Sequence, residues 1–554
     1  MALHPFLQVH PRDNALVALT DLSAGRSLPF DNKVIVLRDD IPVKHKFTVS
    51  GLSPGDPLIM YGVVVGRVTV PIPAGGRITR ENVVHAASEY QVGQANPVLD
   101  NWSGPDVSRY LDRSFPGYKR KHGRAGTRNH WLVVPMVFCE NRNIQVMRSA
   151  LLEPLGYISE RSFAVDVNTL VAAFRAGAGP EDIRQLSMDT SDNPGLGQRV
   201  FPNVDGIKFL THDGGCGGTQ EDSDMLCRLL AGYIAHPNVA GATVLSLGCQ
   251  HAQLGRLERM LYDIAPWFDK PLFLLEQQKS RSERKFIAHA IRETFAGLAQ
   301  ANQLEREPIS LQELCLGLEC GGSDGFSGIT ANPALGQASD ILVASGGTTI
   351  LSEFPELHGV EQELVNRCAR QESALKFQQL MQDYARRAAA VGSGFDMNPS
   401  PGNIRDGLIT DAMKSAGAAR KGGTAPVSDV LDYAQPALRN GLNLLCTPGN
   451  DVESTTGLAG SGANLIVFTT GLGTPTGNPV APTIKMSSNT RLAKQMPDLI
   501  DIDAGTIVSG DETIESVGTA LLELMIAVAG GQVLTRSERL GQDDFIPWKR
   551  GVSL

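Results

Sequence analysis

The sequence predicts an α/β protein: a small N-terminal all-β module followed by a large α/β body with mainly parallel sheets, divided into two subdomains. Three observations carry this. The first stretch consists of short alternating segments punctuated by Gly and Pro. The remainder alternates apolar runs of buried-strand length with helical stretches, and the 554 residues exceed a single core at ~150 residues per domain.

Residues 1–90 hold ALVAL, KVIVL, KFTVS and PLIMYGVVVGRVTV, which read as strands of the β module. Residues 91–116 turn polar and aperiodic and read as a linker. Residues 117–310 place WLVVPMVF, GIKFLTH, ATVLSLG and PLFLLE between helical stretches such as EDSDMLCRLLAGYIAH, the alternation of a parallel sheet. Residues 311–554 repeat that alternation, with strands expected in DILVASGGTTILSE, GLNLLCTP and ANLIVFTTG and a helix over GVEQELVNRCARQESALKFQQLMQDYARRAAA.

Composition narrows the function classes. Lys plus Arg total 50 against 59 Asp plus Glu, a formal charge of −9 with no basic run, so nucleic acid is not an expected partner. An anionic substrate then requires a locally positive site. The opening MALHPFLQVHPRDN lacks the charged and apolar regions of a signal peptide, and no apolar stretch of ~18 residues occurs; a cytoplasmic protein without a membrane partner is expected. Eight scattered cysteines are thiols in such a compartment.

Four of these cysteines, Cys139, Cys216, Cys249 and Cys320, follow or end apolar runs. Strand C-termini and their Gly-rich turns form the ligand crevice of an open α/β sheet, so these thiols are candidates to converge there. Each taken singly also reads as a small buried hydrophobe. None shows CxxC spacing, which argues against a zinc knuckle and leaves open an iron or iron–sulfur site assembled from distant segments.

The segment CGGSDGFSGITANPALG, with Ser323, Asp324 and Asn332, is too glycine-dense for a helix interior and suits a loop that cradles a carboxylate or sugar hydroxyls. NPSPGNIRDG is a similar loop carrying Asn403, and TPGND ends in Asp451. Thr470 ends an apolar strand; Lys485 follows it and is a carboxylate anchor, or a base if desolvated. Glu353 and Glu356 in LSEFPELHG suit a hard metal or proton transfer. In the β module, His10 and His45 sit in separate loops as candidate acid/base or metal groups.

GLECGGSDGFSGITANPALG, GGTTILSEFPELHGVEQ, NPSPGN, TPGND and FTTGLGTPTG, in this order and spacing, resemble the altronate and galactarate dehydratase family. HPRDNALVAL and HKF look like that family's small SAF-type module, and GYKRKHGRAGTRN like the start of its large domain. The resemblance implies a hydro-lyase that converts an aldonate or aldarate to a 2-keto-3-deoxy acid, altronate-like substrates being favoured. It also implies a divalent metal, Fe2+ favoured and Mn2+ possible, with an iron–sulfur cluster left open; a homo-oligomer is the default expectation for a cytoplasmic enzyme.

Carried over by motif, His10 and His45 are catalytic candidates, and Lys485 joins them from the reading of its strand above. Ser323, Asp324, Asn332, Asn403, Asp451 and Thr470 are the substrate-binding candidates, and Cys216, Cys249, Cys320 and Glu353 the metal candidates. Two positions depart from the family pattern: Leu472 stands where an arginine is usual, and Met413 where an acidic residue often precedes the lysine that corresponds to Lys414. Within the same family the alternative is a sulfolactate-type sulfo-lyase, whose small module is typically a separate chain; outside catalysis it is a sugar-acid-binding protein.

Overall fold

The computed structural model describes residues 4–87, 102–157, 164–165, 167–187, 190–191 and 198–553. The N-terminal region is strand-rich, as expected. Phe6–Leu7, Ala15–Ala18 and Lys46–Thr48 form one antiparallel sheet, Ser27–Phe30 pairs with Lys33–Val36, and Pro57–Met60, Val63–Val68 and Val83–Val84 form another. The period of two is visible in the hairpin, where Leu28 and Ile35 are buried while their neighbours Ser27, Pro29, Val34 and Val36 are exposed. In Ala15–Ala18 both faces are used. Leu16 and Ala18 join the module's own core with Phe47, whereas Ala15 and Val17 belong to the main core of the large body. Leu58, Met60, Val65, Val68 and Val83 of the second antiparallel sheet belong to that same core, so the module is packed into the body through several of its strands.

The body contains two parallel sheets. A four-stranded sheet runs in the order Gly206–Phe209, His130–Pro135, Val239–Ser246, Leu272–Glu276. A seven-stranded sheet runs Val427–Leu431, Gly441–Leu445, Thr348–Leu351, Cys315–Cys320, Leu465–Thr470, Thr483–Ser487, Ile502–Asp503, every pair parallel. Such strands are covered by helices on both faces, which is why they read as unbroken apolar runs.

Two expectations are corrected locally. Asp340–Ala344, read as strand, completes the helix Ala331–Ala344, and the strand is confined to Thr348–Leu351. That helix is buried on most sides, so its text carries no helical period, and Gly346 at φ +89° ends it. The single long helix expected from residue 359 is two, Glu361–Asn366 and Gln371–Ala390, separated where Cys368 bridges to Val427. Of the linker expected at 91–116, residues 91–101 lie outside the described residues. Beyond them Tyr110 and Phe115 are buried, and Ser114–Gly117 pairs with Glu307–Ser310. No described helix is long and apolar enough to cross a membrane.

The topology selects the functional edge. After the central strand Cys315–Cys320 the chain fills positions on one side of the sheet, then returns to Leu465–Thr470 on the other. The crevice outside the strand C-termini at that reversal is where open α/β sheets bind ligands, and Cys320 is the last residue of its central strand.

Candidate active site

Four consecutive pieces of this edge deliver charge into one buried cluster. The central strand brings Glu319 and Cys320. The turn after Thr348–Leu351 brings Glu353, held in the left-handed region at φ +67° with its amide donating to Thr447 Oγ1 at 2.8 Å, and then Glu356. A non-glycine residue in that region costs energy and marks a position where the surroundings dictate the backbone. The helix Asp411–Ala418 carries Lys414, and the turn Ala419–Gly422 carries Lys421. Asp451 opens the helix Asp451–Gly460, capped by Asn450.

These groups satisfy one another. Lys421 Nζ lies 2.5 Å from Glu353 Oε2 and 2.7 Å from Cys320 Sγ. Lys414 Nζ lies 2.5 Å from Glu356 Oε1, which also accepts from Asn398 Nδ2 at 3.1 Å. Cys320 Sγ is 3.4 Å from both Glu353 Oε2 and Glu356 Oε2. Glu319 Oε2 accepts from Ser352 Oγ and Ser454 Oγ at 2.8 and 2.6 Å.

Burial and pairing set the protonation states. Burial pushes Glu319 far above the carboxylate range, with Glu353 adding to the push. Burial also raises Glu356, but Lys414 and then Lys421 outweigh it and hold this carboxyl below its ordinary value. Lys414 is the mirror image: burial lowers it, and Glu356 more than restores it. Burial and the charges of Glu353 and Glu356 raise Asp451 to about 7. Lys485 falls to about 7 through burial, opposed by Asp451.

Glu356, Lys414, Asn398, Asn403, Asp451 and Leu472 line a cavity of about 680 Å³ together with the segment Trp548–Arg550. Gly321 also lines it, and only glycine fits there. A Cβ would lie 2.1 Å from Asp451 Oδ2 and 2.5 Å from Phe468 Cζ, so the missing side chain lets Asp451 approach the central strand. Cys320, Glu353 and Glu356 each offer a ligand atom within 4.8 Å of the others, and Glu353 Oε1 is buried without a hydrogen-bond partner among the described residues. Burial, with Glu353, raises the Cys320 thiol, so it would give up its proton on binding; a thiolate formed in that way, two carboxylates and one unspent oxygen fit a borderline divalent ion.

The structure gathers some predicted residues here and sends others elsewhere. Cys320, Glu353 and Asp451 are in the cluster; Asn403 lines the cavity while donating to Ser323 O at 2.7 Å. Asp324 is a keystone of the loop: Oδ1 accepts from Phe326 N, Ser327 N, Ser327 Oγ and Ser488 Oγ, and Oδ2 from Asn489 and Lys44. Asn332 bonds Gly417 O and Thr469 Oγ1, and Thr470 Oγ1 accepts from Gly473 N and Thr474 N. Lys485 lies behind the cavity wall, 3.8 Å from the Phe468 ring centre, donating to Thr474 O.

His45 and His10 lie outside the cluster. His45 sits where the module meets the body, with Nε2 3.1 Å from Arg405 O and Nδ1 3.2 Å from Arg77. His10 stays in its own module, where Nδ1 accepts from Arg12 N. Lys414, Lys421 and Glu319 were not selected from sequence. The seven-residue spacing of the two lysines puts them on one helical face, but a lysine is ordinarily solvated and that spacing alone singles out neither.

Cys216 and Cys249 belong to the other sheet. With Cys139 they follow three adjacent strands, His130–Pro135, Gly206–Phe209 and Val239–Ser246. Their loops are tied together by Phe138 N donating to Gly214 O and Ala252 N donating to Gly215 O. Cys216 lines a second cavity of about 650 Å³ that shares Trp548 and Lys549 with the first.

Comparison with known proteins bears on the whole chain. Residues 4–86 match the altronate/galactarate dehydratase SAF domain, 117–302 the second domain of D-galactarate dehydratase/altronate hydrolase, and 311–553 the C-terminal domain of D-galactarate/altronate dehydratase. The chain is 34% identical to altronate dehydratase of Bacillus subtilis (strain 168), over 99% of each chain. It is 31% identical to altronate dehydratase of Escherichia coli (strain K12), over 99% of this chain and 100% of the relative. Galactarate dehydratase (L-threo-forming) of the same organism is 30% identical over 97% and 95%. With its three segments matched in order and its relatives aligned end to end, this chain belongs to the altronate/galactarate dehydratase family.

Proposed function

We propose that the protein is a hydro-lyase that dehydrates an aldonate or aldarate to a 2-keto-3-deoxy acid, with an altronate-like substrate favoured. The observation that carries this reading is Asp451: a carboxyl on the cavity wall, poised near neutrality, beside the Glu356–Lys414 pair. Removing the proton next to a carboxylate and expelling a hydroxyl on the adjacent carbon needs a group that can take a proton and return it. Such a group works best with a pKa near the operating pH.

In this mechanism the substrate carboxylate enters against Lys549 and against Lys414, which keeps its pairing with Glu356. Arg387 and Arg550, which also line it, are engaged by Glu221 and Asp432. Asp451, as carboxylate, takes the C2 proton, and the electron pair passes into the substrate carboxylate, where the ammonium of Lys414 stabilises the charge that develops. Protonated Asp451 then gives the proton to the C3 hydroxyl as the C–O bond breaks. Water departs, and the enol that remains becomes the 2-keto acid. A divalent ion held by Cys320, Glu353 and Glu356 would supply Lewis-acid stabilisation of the same developing charge. Lys485 acts through Asp451 as a positioning residue, and we place the enzyme in the cytoplasm as a homo-oligomer.

Cys139, Cys216 and Cys249 on adjacent strand ends favour a second reading of the cofactor, an iron–sulfur centre on the other sheet. Absorbance at about 400 nm after anaerobic purification decides between the two. The test of the function is an anaerobic assay with Fe2+ or Mn2+ against a panel of aldonates and aldarates, reading 2-keto acids with semicarbazide. Product from one or a few acids supports the proposal. Absence of product from every acid, by metal-loaded and folded protein, refutes it and turns attention to sulfonates. A relative in that class, (2R)-sulfolactate sulfo-lyase subunit beta of Chromohalobacter salexigens, is 29% identical over 78% of this chain.

A further inference from the structure

A second group of metal-binding side chains lies outside the cavity, where the N-terminal module meets the body. His85 follows the module's strand Val83–Val84, His358 follows the turn that carries Glu356, and Asp411 is the first residue of the helix that carries Lys414. Each offers one ligand atom within 4.8 Å of the others, and none lines the cavity around Asp451.

Three features separate this group from an ordinary surface pair. Asp411 has a side-chain exposure of 3%, and apart from the ion-pair contact with His85 neither carboxylate oxygen accepts a hydrogen bond from a described residue. A buried carboxylate is normally paired or coordinated, because leaving its lone pairs unmet is costly. Its oxygens face imidazole nitrogens: Oδ1 contacts His85 Nδ1, and Oδ2 is 4.0 Å from His358 Nε2.

The orientation of His358 is fixed from behind. Its Nδ1 is 2.9 Å from Glu361 Oε1, and Glu361 Oε2 accepts from Gly359 N at 2.7 Å. A carboxylate on one ring nitrogen sets the tautomer and presents the other as a lone pair, the arrangement that supports metal-bound histidines. Finally, the two imidazoles stack with centroids 5.1 Å apart, and the approach of the module is permitted by Gly359 at φ +95°. A Cβ there would meet Ala412 Cβ at 2.8 Å and Ala87 Cβ at 3.3 Å.

We propose that His85, His358 and Asp411 form a divalent-metal site that clamps the N-terminal module to the body, with Glu361 orienting His358. Two imidazoles and a carboxylate suit Zn2+, Co2+ or Fe2+ in a tetrahedral or five-coordinate site, with water completing the sphere. Both histidines are partly exposed, which gives the ion a route in. The site is independent of the reaction proposed above, so the failure of either leaves the other standing.

The test uses Co2+ added anaerobically to the chelator-stripped full-length protein, followed by visible and near-ultraviolet absorption, bound-metal analysis and thermal unfolding. A Cys320 site gives a thiolate-to-cobalt charge-transfer band; the clamp, having no sulfur, gives visible d–d bands alone. His85→Ala and His358→Ala, at partly exposed positions, are expected to lose one equivalent of Co2+ and the associated rise in melting temperature. Glu361→Gln is expected to weaken Co2+ binding about 10- to 100-fold without abolishing it. Equal stoichiometry, spectrum and thermal response in the wild type and both alanine variants overturn the proposal, leaving a His85–Asp411 ion pair without a metal.

Discussion

Replacing Lys414 by methionine tests the electrostatic account of the cluster most directly. The chain length and burial of the side chain are roughly kept, and the cation 2.5 Å from Glu356 Oε1 is lost. Glu356 has a side-chain exposure of 3% and is ionised because Lys414 and Lys421 overcome the effect of burial. Without Lys414, burial dominates and the carboxyl holds a proton at neutral pH. Keeping a group whose ordinary value is 4.5 protonated at pH 7 costs about 1.4 kcal/mol per pH unit, or about 3 kcal/mol in all. That matches the low end of the ~3–5 kcal/mol found when one member of a buried pair is removed. The sign follows from linkage. In the wild type the depressed Glu356 contributes stability above pH 4.5 that is lost on acidification, whereas in Lys414→Met the raised carboxyl loses stability as pH climbs above 4.5. The deficit should therefore be about 2–3 kcal/mol larger at pH 7 than at pH 5. Thermal and urea unfolding across pH 5–8 read this directly, and adding Glu356→Gln to Lys414→Met should flatten the pH dependence. A deficit of the same size at pH 5 and pH 8 would refute the reasoning.

Four further outcomes are expected. Asp451→Asn should lower kcat by about 10²- to 10⁴-fold and abolish the rise of kcat/KM through pH 7 that a catalytic carboxylate of pKa about 7 produces in the wild type; steady-state kinetics across pH 5–9 measure it. Gly321→Ala puts a methyl 2.1 Å from Asp451 Oδ2, so kcat should fall about 10²-fold with unchanged far-ultraviolet circular dichroism. Lys44→Met removes a 2.8 Å ion pair to the buried Asp324; a loss of about 1.5–3 kcal/mol and faster proteolytic release of the N-terminal module should follow. Leu472→Arg adds a guanidinium to the cavity wall and should lower KM for aldarates, which carry a second carboxylate, more than for aldonates.

What was legible in the sequence follows physical lines. Strands with alternating or unbroken apolar text, such as Pro57–Met60 and Val239–Ser246, were readable because burial imposes the pattern residue by residue. The helix Ala331–Ala344 was misread at its end because a helix buried on most sides has no polar face to mark its period. At the site, Cys320, Glu353 and Asp451 were visible because each stands at the end of a strand or in its turn, where chemistry collects in such folds. Lys414 and Lys421 were not, since nothing local distinguishes a lysine that folds inward onto carboxylates from one in water. Asp324, Asn332 and Thr470 show what the text of a loop does not specify. Glycine-rich, polar text signals a shaped loop, but in this loop those side chains spend their hydrogen bonds on the backbone and on one another.

In the proposed reaction, proton transfer falls to Asp451 because of how the cluster balances its charge. Four acids, Glu319, Glu353, Glu356 and Asp451, face three lysines, Lys414, Lys421 and Lys485. Glu319 leaves the count: burial keeps it protonated between two serine hydroxyls. Lys421 and Lys414 are committed to Glu353 and Glu356 by direct contact, which leaves Asp451 facing Lys485 across Phe468 with no bonded ion pair among the described residues to fix either charge. Both sit at about 7, so in this pair a change of charge costs little. A substrate carboxylate entering the cavity adds a negative charge near Asp451 and raises its proton affinity further. The group becomes a stronger base toward the C2 hydrogen at the moment the substrate arrives. Glu356, clamped by Lys414 and Asn398, cannot respond in that way, and the proton-transfer role falls to the acid the fold leaves unpaired.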